Sequence, residues 1–367
     1  MWVGGRSSCW RSSTGATRGR EQPHDPSGRG RSSTVQLGVG VSEDLPLVVQ
    51  QRIAAHVEGA GFTSLWTNEA SGRDALLLCQ AWAAATTDLR VGVGVAPIWT
   101  RSPAQLAMAS ATLQEASGGR FLLGLGVSHG ATMGPWHGAE VVKPLTASRE
   151  LLTILAQLEA GEQSEVAGEV LSSRRFRLAV SPLPPPTPRY LAAMGPRMLA
   201  LAGSHADGAL LNWAGPEEVA RAGTLVRDGA RDAGRDPSQV EVATYVRLAV
   251  AEDRDAARAA LATQIGRYGA LPAYAAHLER QGFGPALDRA RDAHRSGADG
   301  IGLAEALGEE TLDALGWAAT PGDDATPLLR RYAEAGLDHL IARVVVVGDD
   351  PVASIDAVVR ALDPHTG

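Results

Sequence analysis

Residues 90–126, RVGVGVAPIWTRSPAQLAMASATLQEASGGRFLLGLG, decide the fold. A β-branched run (90–96) is followed by a helix whose start is marked twice, by Ser102 as N-cap and Pro103 at the first helical position. Gly118-Gly119 stops that helix, and a second apolar run begins at Arg120. A strand, a helix and a strand in so short a span describe parallel strands joined by a crossover helix. The same alternation extends to both sides. Upstream lie a strand at 35–41, a helix at 45–60, a strand at 63–66 and a helix at 74–86. Downstream come strands at 189–193, 208–212, 239–249 and 339–346. Helices at 198–203, 216–234, 253–296 (broken at 282–285 and stopped at Gly297) and 326–335 separate or follow them, and Asp350-Pro351 opens a closing helix. Eight strands, each followed by helix, predict an α/β (β/α)8 TIM-like barrel. Two stretches exceed a simple connection. Residues 127–188 hold one helix (146–160) and the run Pro182-Leu183-Pro184-Pro185-Pro186, which cannot join a central strand. The helical excess before the eighth strand is the other. The expected barrel therefore carries insertions after strands 4 and 7.

Composition bounds the function. The chain has 367 residues, 44% hydrophobic and 20% charged, with a formal net charge of −7. That balance is globular, and an acidic surface argues against a nucleic-acid partner. No apolar run is long enough for a membrane span. Only Cys9 and Cys79 are present, so no disulfide framework or cysteine-rich metal site is available, and a cytoplasmic location is expected. Residues 1–34 are rich in Arg, Ser and Gly and lack an apolar core. They are expected to be a disordered N-terminal extension preceding a barrel domain at 35–367.

In such a barrel the chemistry sits where the strands end. After strand five, Met194-Gly195-Pro196-Arg197 open a helix whose N-terminus offers free N–H groups to a phosphate, with Arg197 as an added cation. An ordinary strand–helix turn would also favour Gly and Pro, so the position alone leaves both readings open. Asn212 ends strand six and offers an amide. The run Gly124–His129 has glycines within a strand and no helix directly after it, so it is not a dinucleotide fingerprint; its glycines let a flat ring or another strand come close. Glu69 and His129 are the titratable groups at the mouth and the candidates for acid–base work, with an ordinary packed or solvated role as the alternative for each. His137, His205 and His339 read as structural. Lys143, the single lysine, lies in an insertion, no His-x-His follows strand one, and no carboxylate pair stands at the strand ends. These absences remove Schiff-base, barrel-metallohydrolase and glycosidase chemistry and leave a bound organic cofactor, with no metal.

The segments Leu65-Trp66-Thr67-Asn68-Glu69, Arg101-Ser102-Pro103, Gly119 to His129, Ala192 to Pro196 and Ala202 to Gly208 resemble the luciferase-like monooxygenase superfamily, and within it the F420-dependent oxidoreductase branch. The likeness spans residues 35–346. It implies a cofactor ring over the end of strand three, at Gly94, Val95 and Ala96, with a non-prolyl cis peptide matching the Gly94–Val95 bond. It implies a cofactor-binding set of Asn68, Gly94, Val95, Ala96, Ser128, Met194, Gly195, Pro196, Arg197, Asn212 and Trp213, with the phosphate near Met194–Pro196 and Asn212-Trp213. The implied activity is hydride transfer between F420 and a small organic substrate, with Trp99 or Trp136 walling the pocket and a homodimer left open. An FMN-dependent monooxygenase and a non-catalytic F420- or FMN-binding barrel are the alternatives. One departure stands out. F420 dehydrogenases of the branch carry Asp-His after strand two and Glu after strand four, where this chain has Asn68-Glu69 and Ser128-His129. The acid and the imidazole are exchanged across the site.

Overall fold

The computed structural model describes residues 35–180 and 185–363; the expected N-terminal extension and most of the proline run lie outside the described residues. Eight parallel strands close on themselves: β1 (Gln36–Val41), β2 (Ser64–Thr67), β3 (Arg90–Pro97), β4 (Phe121–Gly126), β5 (Arg189–Ala192), β6 (Gly208–Asn212), β7 (Glu241–Val250) and β8 (His339–Val344). Each pairs with its neighbours in chain order, and β8 returns to β1 through Gln36↔His339 to Gly40↔Arg343. The predicted eight-stranded barrel and both insertions are present. Among the described residues no helix is long and apolar enough to cross a membrane.

Sequence signals account for the local structure. Ser102 caps the Pro103–Ala116 helix by accepting from Gln105 N at 3.2 Å, and Asp74 caps Ala75–Ala85 through Leu76 N and Leu77 N. Inside the barrel Trp66, Leu122, Tyr190, Leu210, Ala243, Tyr245 and Ile341 pack together. They form a solid floor rather than a pore. Outside, the strands' other faces meet the helices in one large apolar cluster.

Three elements differ from the sequence reading. A helix, Gly130–His137, follows His129 directly, contrary to the expectation of none there. Two glycines and an internal Pro135 hide it, because each is a poor helix former; burial of Met133 and the left-handed Gly138 cap hold it. The first insertion also contains a small antiparallel hairpin, Glu165–Ala167 with Ser172–Arg174. In the second, helices Arg254–Gly269, Pro272–Arg280, Gly284–Arg295, Gly300–Leu307 and Glu309–Leu315 lead into a short strand, Gly316–Ala319. That strand pairs with Arg247 to Val250 of β7. Since Arg247 and Leu248 also pair with β8, it must lie on the other edge of β7, which β6 leaves after Asn212. The insertion has its own apolar core, built on Trp213, Leu261, Ile265, Leu278 and Leu287.

Candidate active site

The mouth of the barrel is shaped first by β3. Its register with β4 shifts between Val93 and Ala96, and the Gly94–Val95 peptide bond is cis, as the resemblance implied. The bulge is met from both sides. Tyr245 Oη, reaching across the interior from β7, donates to Gly94 O at 2.9 Å, and Glu69 N donates to Val95 O at 3.2 Å. On β4, a side chain at Gly124 would collide with Val93 O, and one at Gly126 would lie 2.6 Å from Val95 Cγ2. The glycines of strand four therefore admit the neighbouring strand, one of the two readings left open above.

Asn68, at the end of β2, carries a buried Oδ1 with no partner among the described residues. Such an atom costs about 1–3 kcal/mol unless something donates to it. Glu69 is held differently. Arg101 Nη1 lies 2.7 and 2.9 Å from its two oxygens, and Arg101 Nη2 reaches Asp74 at 2.6 Å. Burial raises the Glu69 carboxyl above its ordinary range, while Arg101 and, more weakly, the His137 charge oppose this. The loop beneath is tied by Glu43, which accepts from Ser71 N and Gly72 N.

His129 is exposed and stands before the Gly130 helix, with Thr132 Oγ1 3.4 Å from its Nδ1. No hydrogen bond or ion pair joins it to Glu69; the histidine whose charge bears on Glu69 is His137. Ser128 adopts φ +51° and Trp213 φ +56°. Left-handed backbone in residues other than glycine costs about 1–3 kcal/mol and gathers at ligand sites; Trp213 directly follows β6, and Ser128 lies two residues past the end of β4. Trp99 Nε1 donates to Val127 O at 2.7 Å, so it joins the loops after β3 and β4. Trp136 is exposed on its helix.

After β5, Gly195 is the N-cap of Pro196–His205 with no side-chain cap, and the space where its Cβ would be is open. Arg280 Nη2 reaches Met194 O at 3.3 Å. Arg197 is exposed and lines an outer groove with Arg149 and Ser204. The Asn212-Trp213 turn is clamped by the Pro272 helix: His277 Nε2 lies 3.1 Å from Asn212 O and 3.2 Å from Trp213 O, and Gln281 Nε2 donates to Trp213 O at 2.8 Å.

The residues missed at the sequence level lie on β7. Arg247, 4% exposed, bonds through Nη1 to Asn212 Oδ1 and stacks 3.9 Å from the Trp213 ring centroid. Burial lowers its pKa to about 10. A charge within an otherwise apolar stretch of strand was the available signal. Among the described residues no group of three or more His, Cys, Asp or Glu could hold a metal ion.

The profile of the luciferase-like monooxygenase family matches residues 30–339. A 5,10-methylenetetrahydromethanopterin reductase of Methanolobus tindarius is 31% identical over 300 residues, covering 81% of this chain and 90% of its own. A Mycobacterium tuberculosis protein provisionally named a coenzyme F420-dependent oxidoreductase is 30% identical over 281 residues, covering 71% of this chain and 81% of its own. The solved coenzyme F420-dependent tetrahydromethanopterin reductase of Methanopyrus kandleri superposes with a TM-score of 0.76 at 24% identity, over 91% of this chain and all of that one.

Proposed function

The chain belongs to the luciferase-like monooxygenase family, and from that membership we propose that it is an F420-dependent oxidoreductase that transfers a hydride between the cofactor and a small organic substrate. The observation that carries the reading is kinship over most of the chain with a reductase and with an F420-dependent oxidoreductase. The site supports it. The uncapped Pro196 helix, with open space over Gly195, suits a phosphate. The β3 bulge offers a backing for a flat ring, and the orphaned Asn68 Oδ1 beside it suits a ring N–H. Ser128, Asn212 and Trp213 complete the rim, while Arg197 would meet a phosphate only at the outer edge.

Bound F420 supplies hydride exchange at its C5 carbon. The protein's part is to orient the ring and manage the accompanying proton. Glu69 takes this role from a half-buried position where burial favours its protonated form, and His129 does so from solvent. Glu69→Gln and His129→Ala should each cut turnover by about tenfold or more, within the usual contribution of a general acid or base. F420 affinity should stay within about twofold; full activity in both variants would end the assignment.

The cofactor is tested by titrating the purified protein with F420 and with FMN and following fluorescence. Micromolar F420 binding with negligible FMN binding is expected. The reverse result would make the protein an FMN-dependent monooxygenase. Tight F420 binding with no turnover over a broad substrate panel would make it a non-catalytic carrier.

A further inference from the structure

Arg247 and Arg343 are register partners on the parallel strands β7 and β8. Two residues earlier on the same strands are Tyr245 and Ile341, both in the barrel floor. Side chains alternate along a strand, so both arginines rise from the interior face, one layer above that floor and towards the mouth. Gly40 of β1 is level with Arg343, and a Cβ there would sit 3.2 Å from Arg343 Cδ; glycine leaves room for the arginine stem.

Their partners solvate the charges without neutralising them. Arg343 Nη1 donates to Val41 O. Arg247 Nη1 donates to Asn212 Oδ1, and its guanidinium lies over Trp213, with Tyr268 at 5.3 Å. Among the described residues neither arginine has a carboxylate within ion-pair distance, whereas Arg101 and Arg189 have two each. A buried cation without a counterion is costly, and two on neighbouring strands repel each other. The low pKa of Arg247 has those two causes, burial first. A fold keeps such a pair where an anion arrives from outside.

We propose that Arg247 and Arg343 form the subsite for an anionic group, a carboxylate or a phosphate, on the substrate. The inference rests on the cofactor reading above, which uses the Gly195-Pro196 turn for the cofactor's own phosphate. That turn follows β5 and is separated from Arg343 by β6 and β7, whereas Arg247 also holds Asn212 and Trp213 at the cofactor rim, so the two sites adjoin there. With the face of Arg247 covered by Trp213, its remaining donors lie in the guanidinium plane, the direction from which an oxyanion is held in a fork. The substrate class is therefore small organic acids or phosphate esters rather than neutral alcohols or ketones.

The experiment uses the full chain, with and without saturating F420, and inorganic phosphate, succinate and the neutral analogue succinamide as probes in calorimetric titration. Phosphate or succinate should bind the F420-loaded protein, and succinamide should not. Arg343→Gln and Arg247→Gln should each weaken anion binding by about tenfold or more, and in Arg343→Gln, whose parent side chain donates to Val41 O rather than to the Asn212-Trp213 turn, F420 affinity should change by less than about threefold. Should Arg247→Gln fail to fold by circular dichroism, Arg343→Gln, whose parent side chain is only partly buried, carries the test. Two results overturn the proposal: anions that compete with F420, with both variants losing F420 instead, which would assign the pair to the cofactor's phosphate; or anion binding unchanged in the variants, which would mean an adventitious ion only. Arginine-dependent anion binding in a protein that ignores F420 would leave the subsite standing and remove the cofactor reading.

Discussion

Two arginine sites at the same end of the barrel are built in opposite ways. On the β2–β3 side, Arg101 is saturated by Glu69 and Asp74 and binds two loops to each other. On the β7–β8 side, Arg247 and Arg343 meet, among the described residues, neutral dipoles and an aromatic face. The first arrangement is complete as folded, and it fixes the Glu69 carboxyl in place at the mouth. The second has no counterion among the described residues, and that is the ground for the anion subsite proposed above. Burial alone does not distinguish them; the charge of the partners does.

The comparison can be broken by mutation. Arg101→Ala strands a half-buried carboxylate and should lower the unfolding free energy by about 3 kcal/mol, measured by urea denaturation. Arg189, at the opposite end of the barrel, is an intermediate case, with Asp207 at 3.3 Å and Glu159 at 3.5 Å. Burial, reinforced by Asp207, pushes the Glu159 carboxyl up to about 7 despite Arg189. The folded state then binds more protons than the unfolded chain between the ordinary 4.5 and about 7. Stability should therefore fall as pH rises through that window, by about 3 kcal/mol, and Glu159→Gln should flatten the slope. Arg247→Met removes a cation with no counterion and should raise stability by about 1 kcal/mol, since apolar replacement of buried charge is often neutral or stabilising. A loss as large as that of Arg101→Ala would erase the distinction. The smallest effect is expected at Trp99→Phe. It deletes one hydrogen bond between the loops after β3 and β4 and should cost no more than about 1 kcal/mol by thermal denaturation.

How much of this was legible in the sequence depended on the range of the signal. The strands and most helices announce themselves locally, through two- and 3.6-residue periods and caps such as Ser102-Pro103, and the barrel follows from counting them. The Gly195-Pro196 turn is equally local. The pairing of Glu69 with Arg101 joins loops 32 residues apart and leaves no mark in either. Arg247 was visible but not singled out. It falls two residues after Tyr245, on the same face of its strand, and a charge there was the clue to a polar layer above the floor. The Gly130–His137 helix was hidden because its composition is that of a loop, and only tertiary burial of Met133 makes it helical.

Barrel enzymes are often regarded as frameworks whose rim loops can be exchanged one at a time. Gln281 argues against that freedom here. Its side chain donates to Trp213 O, and its Oε1 accepts from Gly215 N at 3.2 Å, so the loop after β6 is moulded on a helix that arrives after β7. A recombinant that imports one without the other would leave the imported backbone with no template. The heritable unit at this side of the rim is the pair, and divergence in the second insertion should be accompanied by compensating change at residues 212–215.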